Sequence, residues 1–482
     1  MPNLPAYDAV VVGSGPNGLA AAITLARADH SVLLIEGRDK VGGGIRTAEI
    51  TLPGFLHDIC ATIHSSEASS FFRSVPLYDY GLEWVHPPAP LAHPLDDGTA
   101  IVLERSVDET SRNVGEDAAA YRKLLGPFVS GWEKLLFEIL GPLRLPPRSP
   151  IILGRFGLYG FRSSKGLAES IFEGKRARAL FAGLAAHSIQ PLENQLTAAF
   201  GLVLGIFAHV TGWPVAKGGS QKIADALAGY FLSQGGEIIN DWWVGSITEL
   251  PKARVYLFDT TPTEVIKIAG EHLPMSYRRQ LERYRYGPGV FKIDYALDGP
   301  VPWKAIECAR SATVHIGGTL EEIALSERTV WEGKPPEKPF VLAAQQTMFD
   351  PTRAPEGKHT LWAYCHVPAG STYDMTERIE AQIERFAPGF RDCILARNVM
   401  FPDDLEKYNP NYIGGDINAG VQDLFQLFTR PAFRLDPYTT PNRSIYLCSS
   451  STPPGGGVHG MSGYYAAQSA LRRVLKQPEL QM

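Results

Sequence analysis

The stretch that decides the fold runs from Tyr7 to Gly44: "YDAVVVGSGPNGLAAAITLARADHSVLLIEGRDKVGGG". Ala9 to Val12 form a short apolar run of the kind that fills a buried parallel strand. Gly13, Gly15 and Gly18 follow in GxGxxG spacing, then an alanine-rich helical pattern, then a second apolar run ending in Glu36. Strand, glycine turn, helix, strand and acid, in that order, make a βαβ unit of the dinucleotide-binding type. Gly13 serves the tight turn, Gly15 lets backbone N–H groups approach a pyrophosphate, and Gly18 permits close helix–strand packing. The helix N-terminus, with Pro16 and Asn17, offers free N–H donors and partial positive charge. Glu36 is placed to accept from ribose hydroxyls, and its charge disfavours the 2′-phosphate of NADP at this site.

A second glycine cluster, "KVGGGIRT" from Lys40 to Thr47, comes soon after Glu36. It predicts another backbone approach along an extended ligand, with Gly37, Arg38, Gly43, Gly44, Arg46 and Thr47 as contacts. Two distant segments repeat this character. Trp213 to Ile238 reads "WPVAKGGSQKIADALAGYFLSQGGEI", and Arg443 to Leu471 reads "RSIYLCSSSTPPGGGVHGMSGYYAAQSAL". The latter has an apolar strand, a glycine-rich loop that lets backbone pass close to a planar ligand, and a helix opening near Met461.

These three segments, in this order, resemble the FAD-dependent phytoene desaturase-like oxidoreductases, relatives of the flavin amine oxidases. The resemblance implies FAD and an α/β fold: a discontinuous Rossmann-type, glutathione reductase-like FAD-binding domain with an α+β substrate domain built from two insertions. The expected division is 1–65, 210–262 and 430–482 for the FAD-binding domain, and 66–209 and 263–429 for the substrate domain. It also implies flavin contacts at Val244, Gly456, Gly457, His459, Gly460 and Met461. One position departs from the family. Many relatives carry Arg directly after the paired glycines, where this chain has Gly44. Arg38 and Arg46 are then the candidates to neutralise the pyrophosphate.

The first insertion leans to helix, with helical spacing from Ala118 to Leu140, and "PLRLPPRSP" (Pro142 to Pro150) reads as a connector or channel rim. The second insertion has the strand-like runs "GVFKIDYALDG" and "HTLWAYCHV". No second GxGxxG sits in strand–helix context, so the expected electron acceptor is dioxygen or a quinone rather than NAD(P)H.

Lys292 is the sharpest candidate for chemistry. The amine oxidases carry a similar lysine on a substrate-domain strand, where it assists dioxygen activation. Alternation puts Lys292 and Asp294 opposite Ile293, Tyr295 and Leu297. The plain alternative is a solvent-facing lysine. His64 and Asp58 follow the flavin contacts closely enough to line the site as acid–base groups. His187, His209 and His366 sit in apolar surroundings and are expected to bond within the core, while Tyr412 and Asp416 are weaker candidates for substrate contact. No nucleophile elbow and no metal-ligand spacing occurs, so no metal is expected.

Composition closes off other classes. The 482 residues carry 46 Lys and Arg against 51 Asp and Glu, a formal net charge of −5, and 44% hydrophobic residues. A chain of that balance lacks the basic stripe that nucleic acids require; "YRRQLERYRYG" (Tyr277 to Gly287) reads as the solvated face of a helix. Five cysteines at no ligand spacing suit a reducing, cytoplasmic setting. "NQLTAAFGLVLGIFAHVTGWPVA", Asn194 to Ala216, has no charged residue. Its apolar core, Leu196 to Ala208, is of a length that favours a buried helix over a membrane span, with peripheral membrane contact as the alternative. The leading function is hydride exchange with a lipophilic unsaturated substrate of carotenoid or isoprenoid type. An amine oxidase, a redox-neutral isomerase and a non-catalytic flavin-bound protein are the alternatives.

Overall fold

The computed structural model describes residues 5–478. The opening βαβ unit builds the middle of a five-stranded sheet, parallel throughout, in the order Ile445–Leu447, Ala253–Phe258, Tyr7–Val12, Val32–Ile35, Glu237–Ile239. The strand register aligns Val12 with both Ile35 and Phe258, so the residues just beyond all three gather at one edge. That edge, at the carboxyl ends of parallel strands, is where open α/β sheets bind ligands. Helices Pro16–Ala26, Gln221–Ser233 and Met461–Ala470 cover one face of this sheet and share a core with it.

A seven-stranded mixed sheet stands beside the first, ordered Ile394–Met400, Gly289–Leu297, His359–Val367, Val341–Ala344, Ser311–Ile316, Ala89–Pro94, Ala100–Leu103. The alternation expected for Gly289–Leu297 holds: Phe291, Ile293, Tyr295 and Leu297 enter an apolar core on one face. The other face carries a polar stripe. Lys292 sits opposite Tyr364, with Asp294 opposite Trp362, in antiparallel register.

The uncharged segment forms a helix, Thr197–Val210, packed into protein along Ala198, Gly201, Leu202, Gly205 and Ile206. Phe200, Val203, Leu204 and Phe207, on its other side, are half-buried and face a cavity. No helix among the described residues is long and apolar enough to cross a membrane. The Tyr277 region is a short helix, Met275–Glu282, that buries Tyr277 and Leu281, half-buries Arg278 and leaves Arg279 outward.

The core histidines are bonded within the protein. His187 Nε2 lies 3.0 Å from His315 Nε2, His209 Nε2 2.8 Å from Tyr121 Oη, and His366 Nδ1 2.8 Å from Glu327. Burial depresses His64, His93, His209 and His459 to about 4, and His57 and His187 to about 3. These rings stay neutral in the fold but take up protons near pH 6.5 in the unfolded chain. Folding stability therefore falls as pH drops below 6.5, by up to about 1.4 kcal/mol per pH unit for each ring. A urea titration series between pH 7 and pH 5 should show the midpoint collapsing across that window. A flat midpoint would mean that the rings are charged in the native state.

Candidate active site

One cavity of about 1160 Å³ runs from the glycine turn at the edge of the parallel sheet to Trp362 and Tyr364 of the mixed sheet, and Lys292 and Asp294 lie outside its lining. At the sheet edge it is lined by Gly13, Gly15, Pro16, Asn17, Glu36, Gly37 and Arg38, and further along by Gly43, Gly44, Arg46, Val244, Gly456, Gly457 and His459. The glycines here are required by close approach. A Cβ on Gly18 would lie 3.0 Å from the carbonyl carbon of Gly13, and one on Gly43 would lie 3.0 Å from Gly15 Cα.

Glu36 is held by its neighbours. It accepts from Ser14 N at 3.1 Å and Arg38 N at 3.0 Å, and pairs with Arg46 at 3.0 Å. Both arginines expected near the pyrophosphate line this end of the cavity, and both are already bonded to the protein. Arg46 is spent on Glu36 and on the Lys40 carbonyl, and the Arg38 guanidinium donates to the carbonyls of Lys407 and Tyr408. The departure at Gly44 has a local reason: the Tyr412 hydroxyl packs where a Gly44 side chain would begin. Tyr412 lines the cavity, as does Cys60 beside it. Asp416 does not. It is buried and accepts from the backbone N–H groups of Gly287, Asn418 and Gly420, which makes it a loop organiser.

Several other expected contacts turn away from the cavity. Thr47 donates to Asp58 and accepts from Gln221 N at 3.0 Å. Gly460, at φ 68°, packs against Phe71, and Met461 enters the core of the parallel-sheet domain. His459 supplies the link. Its Nε2 donates to Gly455 O at 3.1 Å and its Nδ1 accepts from Met461 N at 3.0 Å, so the ring caps the helix that follows.

Asp58 is corrected as an acid–base candidate. It is 0% exposed, paired with Arg353, and accepts from Thr47, Thr62 and Ser220 N. Burial works to raise its carboxyl, but Arg353 and the two threonines hold it below the usual carboxylate range. Fully buried and outside the cavity lining, this carboxylate does not reach a substrate. His64 does line the cavity, neutral, with Nε2 2.8 Å from Ser220 Oγ.

Lys292 is not a solvent-facing lysine. It is 2% exposed, forms an ion pair with Asp294, and places Nζ 5.9 Å from the ring centre of Trp362, a cavity residue. Burial raises the Asp294 carboxyl to about 6 against the pull of Lys292. His57 Nδ1 lies 3.7 Å from Asp294, and its Nε2 lies 2.8 Å from Thr51 Oγ1. The pairing partner was visible in the sequence as the next residue on the same strand face.

The far half of the cavity is apolar. Phe200, Val203 and Phe207 face Leu153 and Phe156 of the Pro150–Gly160 helix, and Trp362 and Tyr364 close the sheet side. Leu143 and Leu145, from the proline-rich segment, and Phe428 and Phe433 also line the cavity and are exposed at the surface. Sequence reasoning missed Asp259, at the end of Ala253–Phe258, which lines the glycine end.

Residues 11–75 match a family described as NAD(P)-binding Rossmann-like domain. Over 97% of its length the chain is 26% identical to pyridine nucleotide-disulfide oxidoreductase domain-containing protein 2 of Rattus norvegicus, covering 94% of that protein. It is 25% identical, over 94% of its length, to the neurosporene-forming phytoene desaturase of Rhodobacter capsulatus, covering 92% of that protein. Among solved structures, wild-type putrescine oxidase bound to putrescine superposes with a TM-score of 0.62 at 17% identity, over 98% of this chain and 100% of that one. Along nearly its whole length the chain is similar in sequence to these oxidoreductases, and it shares the fold of the solved putrescine oxidase.

Proposed function

We propose that the chain is an FAD-dependent oxidoreductase that exchanges a hydride equivalent with a lipophilic unsaturated substrate of carotenoid or isoprenoid type. The continuity of the cavity carries this reading: one space joins the dinucleotide turn to an apolar chamber. At about 1160 Å³ it exceeds the roughly 300–1,000 Å³ of a pocket for one small ligand. The glycine end fits the cofactor, since the Pro16–Ala26 helix opens with no side-chain cap and no acidic residue in its first turn. FAD, when bound, supplies the hydride chemistry. The chain's own residues bind and orient. Glu36 and the backbone donors beside Gly15 would hold the ribose and pyrophosphate, while Phe200, Val203 and Phe207 would hold an apolar chain and exclude water.

Within this reading, residues 1–65, 210–262 and 430–482 form the cofactor domain, and 66–209 and 263–429 the substrate domain. The electron acceptor is dioxygen or a quinone. Peripheral contact with an anionic bilayer belongs to the same proposal. Leu145, Ile151 and Phe433 are 83%, 89% and 77% exposed, the first and last of them cavity residues. Between Gly141 and Gly166 there are Arg144, Arg148, Arg155, Arg162 and Lys165 but no Asp or Glu. Co-sedimentation with anionic phospholipid vesicles tests this contact, and protein left in the supernatant overturns it.

An anaerobic titration of the yellow protein with liposome-dispersed phytoene tests the reaction. Bleaching of the flavin band is the expected result; an unchanged band in protein that dithionite still reduces overturns it. Val203→Trp should fill the chamber and weaken binding of the polyene on the order of tenfold, about 1.4 kcal/mol, while flavin content stays at the wild-type level. Lys292 supports a second reading as an oxygen-using amine oxidase, because it is a buried cation beside a cavity residue. There Lys292→Met should slow flavin reoxidation by dioxygen several-fold, and an unchanged rate removes that reading.

A further inference from the structure

Asp259 stands at the start of the Pro16–Ala26 helix although it belongs to another strand. Its Oδ2 accepts from Gly18 N at 2.8 Å, and a Cβ on Gly15 would lie 2.6 Å from the same oxygen. Pro16 brings no N–H, so the helix has few donors to give, and this carboxylate already holds one of them. A dinucleotide bound by this turn brings its pyrophosphate to the same donors. Two anions at one donor set repel each other unless one is neutralised.

The surroundings leave no cation to do so. Glu36, at the end of Val32–Ile35, adds negative charge and spends Arg46 on itself. Cys448, following Ile445–Leu447, is a thiol that burial pushes up and keeps neutral. Glu264, on the Pro262–Ala269 helix, lines the cavity and is paired with Lys267. The first turn of the Pro16–Ala26 helix carries no acidic residue, and no cation pairs with Asp259 among the described residues. Burial first, then Glu36, raise the Asp259 carboxyl to about 7, against the Gly18 and Gly15 N–H groups.

We propose that Asp259 is a proton-binding residue of the cofactor cradle, so that the dinucleotide binds together with one proton taken from solvent onto the Asp259 carboxylate. The proton converts a competing anion into a neutral group able to donate a hydrogen bond; no other bond changes. This inference rests on the flavin reading above.

Binding of FAD to the apoprotein tests it, followed by quenching of flavin fluorescence from pH 6 to 9 and by calorimetry in buffers of different ionisation heat. Uptake of about one proton per FAD at pH 8 is expected, with affinity falling by up to about tenfold per pH unit above 7. Asp259→Asn should abolish the uptake and keep the affinity at pH 9 close to that at pH 6. FAD binding without proton uptake overturns the inference and leaves the flavin reading standing, as does wild-type linkage persisting in Asp259→Asn. Failure of FAD to bind at any pH overturns both. The calorimetry on the wild-type protein decides the matter even if the variant does not fold.

Discussion

Arg353→Ala should lower the unfolding free energy by about 3–5 kcal/mol, the usual cost of stripping one partner from a buried charge network. The guanidinium is 0% exposed. It pairs with Asp58, donates from Nε to Asp350 at 3.1 Å, and donates from Nη2 to the Ala216 carbonyl at 2.9 Å. Asp58 in turn holds the turns around Thr47, Thr62 and Ser220, and Asp350 accepts from Gly218 N at 2.7 Å. Removing the cation leaves two carboxylates buried with no opposite charge. The contribution of Asp58 has a defined sign with pH. Its folded carboxyl titrates below the ordinary value of 3.8, so the stabilisation is complete at neutral pH and is lost as acid protonates the native state. Differential scanning calorimetry of Arg353→Ala against wild type reads the effect as a fall in Tm of several degrees. A Tm equal to wild type would mean that the network is dispensable.

Gly463→Ala is the second large effect. The Met461–Ala470 helix crosses Pro16–Ala26 so closely that a Cβ on Gly463 would lie 2.7 Å from the Asn17 carbonyl carbon and 2.9 Å from Ala21 N. Both neighbours are backbone, so no side chain can swing aside. One methyl group must push the helices apart, and overpacking in a tight core costs about 1–3 kcal/mol or more. The displaced helix start would carry Met461 and His459 with it and distort the loop at Gly456 and Gly457. Purified Gly463→Ala should therefore unfold at lower urea than wild type and, within the proposed flavin reading, bind FAD less tightly. A urea midpoint equal to wild type would show that the crossing relaxes freely.

Much of this architecture was legible because its signals are local. Residues 7–44 declare strand, turn, helix and strand within one window, and alternation alone assigned both faces of Gly289–Leu297. The site was less legible wherever meaning depends on pairing across long sequence separation. Nothing around Asp259 marks it until Ala253–Phe258 pairs beside Tyr7–Val12 and delivers the carboxylate to Gly18. Asp58 looked like an acid–base group because its own neighbourhood is polar, and Arg353, far along the chain, makes it structural instead. The turning away of Thr47 and Met461 has the same cause: motif spacing fixes the backbone path, while packing decides which way a side chain points.

The parallel sheet draws its strands from near residues 7, 32, 237, 253 and 445, which has a consequence for how the protein is made. During synthesis the first four strands are in place long before the fifth. The interval from Phe258 to Ile445 takes roughly 10–40 s at ribosomal speeds of about 5–20 residues per second. Throughout it, the edge of Ala253–Phe258 and the helix face that will receive Gly463 stand open on the nascent chain. The domain begun first is finished last, so its unfinished edge is where chaperones would have to act.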